Sequence, residues 1–149
     1  MYIYKAAVVG AGAMGAEIAQ AISFSGLPVL LKDVDQAQVD KGLAVIRKIC
    51  QRRVDRGKMT QDELEKKLTL VTGVTGYDGF KDVDLVIEAV PEQLSLKQRI
   101  FKELDQATPE SAVLASNTSS LSISALGTAT RRPHKVVGMH FFYPAHIMK

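Results

Sequence analysis

The sequence predicts an α/β fold with a doubly wound, mainly parallel sheet and helices on both faces. Short apolar runs alternate with amphipathic stretches along all 149 residues, the connections are short, and a glycine-rich turn sits at the first strand-to-helix junction. Length and a hydrophobic content of 46% suit one domain, residues 1–149, with a sizeable core.

Ala6-Ala7-Val8-Val9 carries no charge and reads as a strand buried on both faces. Met14, Ile18, Ala21 and Ile22 then recur at helical spacing, so Gly10-Ala11-Gly12-Ala13-Met14-Gly15 opens a helix. Each glycine of this G-x-G-x-x-G pattern has a physical job. Gly10 permits the tight turn, Gly12 lets the backbone approach a pyrophosphate, and Gly15 lets helix and strand pack closely. The free amides and partial positive charge at the helix start, around Ala13 and Met14, suit phosphate. A second strand, Val29-Leu30-Leu31, ends at Lys32-Asp33. An acid at this distance from the turn accepts hydrogen bonds from the adenine-ribose 2′-OH and repels a 2′-phosphate, which favours NAD over NADP. Strand, turn, helix, strand and acid together make a Rossmann-type unit with an NAD site.

Asp35 is the expected N-cap of a long helix running toward Arg56 and stopped by Gly57, with Val39, Leu43, Ile46, Cys50 and Val54 as its apolar stripe. Its later turns are basic, with Lys48, Arg52, Arg53 and Arg56. Thr60-Gln61-Asp62-Glu63 is a capping box that opens a shorter helix. Further strands are expected at 68–71, 84–90, 113–116 and 136–139, and helices at 94–106 and 123–126, with Gly73, Gly76 and Gly79 in a loop.

The formal net charge is +3, and no basic patch is interleaved with aromatics, so a nucleic-acid partner is not expected. No uncharged apolar run approaches about 18 residues, so no membrane span is expected. A single cysteine excludes an internal disulfide and fits a reducing compartment. The N-terminus lacks a signal-peptide layout, and the expected location is cytoplasmic. Nothing has metal-ligand spacing.

In open α/β sheets, ligands bind beyond the carboxyl ends of the strands. Ala89 and Val90 end the fourth strand and Glu92 and Lys97 follow it, while Ser116-Asn117-Thr118-Ser119-Ser120 comes after the fifth and His140-Phe141-Phe142-Tyr143-Pro144 after the sixth. Histidine ordinarily titrates near neutrality, so His140 suits a base that takes a hydroxyl proton while hydride leaves the same carbon. His134 and His146 have no comparable placement.

Gly10-Ala-Gly-Ala-Met-Gly15, Lys32-Asp33, Val86-Ile-Glu-Ala89, Ser116-Asn-Thr-Ser-Ser-Leu121 and Gly138-Met-His-Phe-Phe142 resemble the nicotinamide-binding domain of the L-3-hydroxyacyl-CoA dehydrogenases. That family includes 3-hydroxybutyryl-CoA dehydrogenases and the dehydrogenase segment of multifunctional fatty-acid oxidation proteins. The resemblance covers nearly the whole chain. It implies reversible oxidation of a 3-hydroxyacyl-CoA to a 3-ketoacyl-CoA by NAD, with His140 as general base and Ser119 contacting both nicotinamide and substrate oxygen. It makes Asp33 the adenosine-ribose acid and Glu92 and Lys97 cofactor contacts, lets Asn117 orient the loop or the nicotinamide ribose, and turns the basic helix around Arg53 toward the CoA phosphates.

There are two departures. Tyr143 stands where the family usually has Asn, and the sequence stops at Met148-Lys149. The family continues with a Leu-Val-Glu stretch, whose glutamate pairs with the histidine, and with a helical domain that closes over the acyl chain and makes the homo-oligomer. The expectation is a fragment that binds NADH and turns over 3-ketoacyl-CoA poorly. Two other readings stay open from sequence: a different NAD(P)-dependent hydroxyacid dehydrogenase, and a non-catalytic nucleotide-binding module.

Overall fold

The computed structural model describes residues 1–148, and Lys149, the last residue of the sequence, lies outside the described residues. Six parallel strands, β1 (Ala6–Val9), β2 (Val29–Lys32), β3 (Val71–Val74), β4 (Leu85–Glu88), β5 (Val113–Ser116) and β6 (Val136–Gly138), form one sheet in the order β3-β2-β1-β4-β5-β6. The order reverses between β1 and β4, which opens a crevice at their carboxyl ends. Helices α1 (Ala13–Phe24), α2 (Gln36–Asp55) and α3 (Gln61–Thr69) belong to the first half of the chain, and α4 (Leu94–Ala107) and α5 (Ile123–Gly127) to the second.

Strand residues alternate between two cores. Ala6, Val8, Leu31 and Ile87 join Ile18 of α1, Ile46 and Cys50 of α2 and Leu64 of α3. Ala7, Val9, Leu30, Val86 and Leu114 join Ile100, Phe101 and Leu104 of α4 and Leu126 of α5. The caps form as expected: Asp35 accepts from the Gln38 amide at 2.9 Å, and Thr60 and Glu63 make both bonds of the capping box. Cys50 is fully enclosed, and burial pushes its thiol up despite Arg53 and Arg47 nearby.

The third strand departs from expectation. It spans Val71–Val74 rather than 68–71, because α3 continues through Thr69 and Leu68 packs into the first core. Gly73, expected in a loop, is a strand residue, and a Cβ there would run into the Val39 side chain of α2. The fourth strand is shorter than 84–90, ending at Glu88.

One polar clamp ties α4 to the segment before β6. The buried Arg132 guanidinium donates to Oδ1 of Asp105 at 2.8 Å and to the Asp105 and Thr108 carbonyls at 2.7 and 3.2 Å. Burial alone would raise the Asp105 carboxyl, but Arg132, the Arg131 amide and the Arg131 side chain hold it below the usual carboxylate range. A carboxylate lowered on folding stabilises fully above its unfolded pKa, about 4, and loses that contribution as pH falls through the lower folded value. Urea midpoints are therefore expected to fall steeply below about pH 4. In D105N that fall should be shallower, from a lower starting stability. An equally steep acid limb in D105N would remove Asp105 as its source.

Candidate functional site

Strand register places the site. Lys32, Val9, Glu88, Ser116 and Gly138 are successive partners across β2, β1, β4, β5 and β6. The residues just beyond this row therefore emerge along one edge, in the order Asp33, Gly10, Ala89, Asn117, Met139. Four strand spacings of about 4.8 Å make that edge about 19 Å long, similar to an extended dinucleotide.

At its centre the glycine turn fits a pyrophosphate. Gly10 has φ +108°, and a Cβ there would lie 2.6 Å from the Ala89 carbonyl oxygen. A Cβ on Gly15 would collide with the Gly10 carbonyl, whereas one on Gly12 would meet nothing within 4 Å. Gly12 is the N-cap of α1 and offers no side-chain cap, which leaves the first-turn amides available to a ligand. A cleft of about 630 Å³ opens here, lined by Gly10, Gly12, Ala13 and Met14, by Asp33 and Val34, and by Ala89, Val90 and Leu96. Asp33 accepts the Ala11 amide at 2.8 Å and the Val34 amide at 2.6 Å, so its carboxylate also braces the turn. Lys32 lines the same cleft, with its ammonium 4.4 Å from the Tyr77 ring centroid.

Beyond β4 and β5 the polar groups form a network. Glu88 is fully buried and accepts from Lys97 Nζ at 2.5 Å, Ser116 Oγ at 2.7 Å and the Val90 amide at 2.8 Å. Lys97, 2% exposed, also donates to the Val90 carbonyl at 3.1 Å and lies 3.7 Å from Glu92. Glu92 accepts the Thr118 hydroxyl at 2.6 Å. Burial alone would raise the Glu92 carboxyl, but Thr118, the Lys97 charge and the Ser119 amide hold it below the usual range. Lys97 is thus enclosed, whereas Glu92 and Ser119 are exposed, and none of the three lines the cleft. Sequence reasoning gave Glu88, Ser116 and Thr118 no role. The available signal was an acid inside an apolar run, which requires a buried partner.

At the far end, the Asn117 side chain accepts the Phe141 amide at 2.7 Å, and its backbone carbonyl lies 3.1 Å from His140 Nδ1. A carbonyl only accepts, so Nδ1 carries the proton and Nε2 is left as the acceptor. His140 is exposed, with its ring 5.2 Å from that of Phe142, and Tyr143, three positions further on, is 66% exposed.

A second cleft, about 500 Å³, lies between α1 and the later turns of α2, lined by Gln20, Phe24, Arg52, Arg53, Arg56, Lys58 and His146. Gln20 is fully buried with no hydrogen-bond partner for its amide, and His146 lies 3.2 Å from Glu17. His146, which sequence reasoning set aside, therefore belongs to this basic cleft. Among the described residues no group of His, Cys, Asp or Glu could hold a metal, and no helix is long and apolar enough to cross a membrane.

The family described as "3-hydroxyacyl-CoA dehydrogenase, NAD binding domain" matches residues 5–149. The chain belongs to this family. It is 44% identical over 146 residues to the peroxisomal fatty acid beta-oxidation multifunctional protein MFP2 of Arabidopsis thaliana, spanning 98% of this chain and 20% of that protein. It is 43% identical to a 3-hydroxybutyryl-CoA dehydrogenase of Clostridioides difficile, spanning 97% of this chain and 52% of that protein. Among solved structures, 3-hydroxybutyryl-CoA dehydrogenase from Escherichia coli K12 superposes with a TM-score of 0.96 at 37% identity, over 100% of this chain and 32% of that one. FadB2 of M. tuberculosis gives 0.95 at 40% identity, over 99% and 52%. The chain thus spans between a fifth and about half of these relatives. As a 3-hydroxyacyl-CoA dehydrogenase NAD-binding domain, it takes NAD as its cofactor.

Proposed function

We propose that this chain is the NAD-binding half of an L-3-hydroxyacyl-CoA dehydrogenase, acting in fatty-acid β-oxidation or related acyl-CoA metabolism. The observation that carries the reading is the Nδ1 contact of His140 with the Asn117 carbonyl, which leaves Nε2 free to take a proton beside the nicotinamide end of the edge. Bound NAD supplies the two-electron acceptor. In the oxidation direction His140 Nε2 accepts the 3-hydroxyl proton, and in reduction it returns that proton to the 3-keto oxygen. Ser119 contacts the nicotinamide and the substrate oxygen. Asp33 holds the adenosine ribose, Gly10 to Gly15 the pyrophosphate, and Ala89, Val90 and Asn117 the nicotinamide side. Glu92 borders the cofactor directly. Lys97 supports it from behind.

The basic cleft of Arg52, Arg53, Arg56 and Lys58, with the unpaired Gln20 amide at its wall, suits the phosphates of CoA. Acyl-chain closure and homo-oligomer formation belong to the family's helical domain, so residues 1–149 alone should bind NADH and turn over slowly. We read the setting as reducing and cytoplasmic from the single buried Cys50, although several relatives are named peroxisomal or glyoxysomal.

The test is titration with NADH and NADPH by nicotinamide fluorescence, followed by NADH oxidation with acetoacetyl-CoA. Saturable NADH binding is expected, with NADPH weaker by about tenfold or more. H140Q should keep the NADH affinity and lose about 10²–10⁴-fold of whatever turnover the chain shows. Equal binding of both nucleotides would remove the role of Asp33. Unchanged turnover in H140Q would leave a nucleotide-binding module without the proposed chemistry.

A further inference from the structure

Glu88 sits where no ligand reaches it, yet each of its contacts lands on a different segment of the site. Its carboxylate takes the Val90 amide where β4 turns out of the sheet, the Ser116 hydroxyl at the end of β5, and the Lys97 ammonium of α4. Ser116 Oγ in turn accepts the Thr118 amide at 3.2 Å. Thr118 Oγ1 accepts the Leu121 amide at 2.9 Å and donates to Glu92. Between them, Asn117 donates its own amide to the Glu88 carbonyl at 2.9 Å. The Asn117 amide and the side-chain bonds of Ser116 and Thr118 therefore tie the turn from Ser116 to Leu121 to Glu88 and Glu92, and that turn carries Ser119 and the carbonyl that meets the His140 ring. A buried ion pair is a poor source of net stability, since apolar residues of the same volume serve as well. What it provides is one fixed arrangement of the groups bonded to it.

We propose that Glu88, acting through Ser116 and Lys97, is a positioning residue that sets the nicotinamide end of the site, leaving the adenosine end to the glycine turn and Asp33. The assignment rests on the dinucleotide reading above. It divides the site in two. Asp33 and Gly10 to Gly15 bind the part shared by NADH and ADP, whereas the Ser116–Leu121 turn meets only the nicotinamide nucleoside. Weakening the network therefore costs affinity for the whole dinucleotide and spares its adenosine half.

The experiment compares NADH and ADP by calorimetry on the wild-type chain, on S116A, and on the doubly neutral variant E88Q/K97M, which leaves no unpaired buried charge. S116A removes one hydroxyl bonded to a carboxylate and is expected to weaken NADH about tenfold. ADP affinity should stay within about twofold, and E88Q/K97M should show the same split. If S116A is folded and binds NADH like the wild type, the assignment falls. It also falls if NADH and ADP weaken together, or if both variants fail to fold, because the network then supports the domain as a whole. A wild-type chain that binds neither ligand would instead remove the dinucleotide reading itself, and this assignment with it.

Discussion

Replacing Gly15 by alanine is expected to destabilise the domain and abolish NADH binding together. The added methyl would collide with the Gly10 carbonyl, a backbone atom, so relief requires α1 to lift away from the β1 turn. Overpacking of this kind costs about 3 kcal/mol, or roughly 6–12 °C of melting temperature at this chain length. Gly12→Ala is the informative control. Its Cβ meets nothing within 4 Å, so the melting temperature should barely move. The methyl would nevertheless occupy the space assigned to pyrophosphate, and NADH affinity should fall steeply. A G15A protein that melts like wild type would disprove the tight helix-to-turn contact. A G12A protein that binds NADH normally would place the phosphates elsewhere.

The second large effect is expected at Lys97. In K97M the Glu88 carboxylate, 0% exposed, keeps only the Ser116 hydroxyl and the Val90 amide. Removing one partner of a buried pair costs about 3–5 kcal/mol, since the surviving charge stays out of water. Both groups are enclosed, so screening by solvent does little to reduce the effect. Chemical denaturation should show that loss in K97M and recovery of most of it in E88Q/K97M. A loss below about 1 kcal/mol would mean that Glu88 holds no charge in the folded chain.

Much of the architecture was legible because it depends on local pattern. β1 and β5 occupy the expected residues, and the Asp35 and Thr60 caps formed as their residue types require. The glycine turn and Asp33 were legible for the same reason, since their spacing reflects a single β-α-β unit. β3 was not. Gly73 reads as a breaker until Val39 and Leu43 of α2 are seen to pack over it, which is a tertiary fact. The Glu88 network was hidden similarly: its bonds join β4, α4 and β5, and no one segment contains the pairing. For His140 the motif suggested a base, but the contact the structure gives its ring, the Asn117 carbonyl, carries no side-chain signal at all.

The enclosed Cys50 has a practical corollary. Its thiol is protonated, fully covered and the only one in the chain, so maleimides and iodoacetamides will find nothing native to attack. A cysteine introduced at Tyr143, 66% exposed and three positions after His140, would then carry the sole dye on an otherwise wild-type background. Fluorescence from that dye could follow nucleotide arrival at the site in real time, with no native cysteine to remove first.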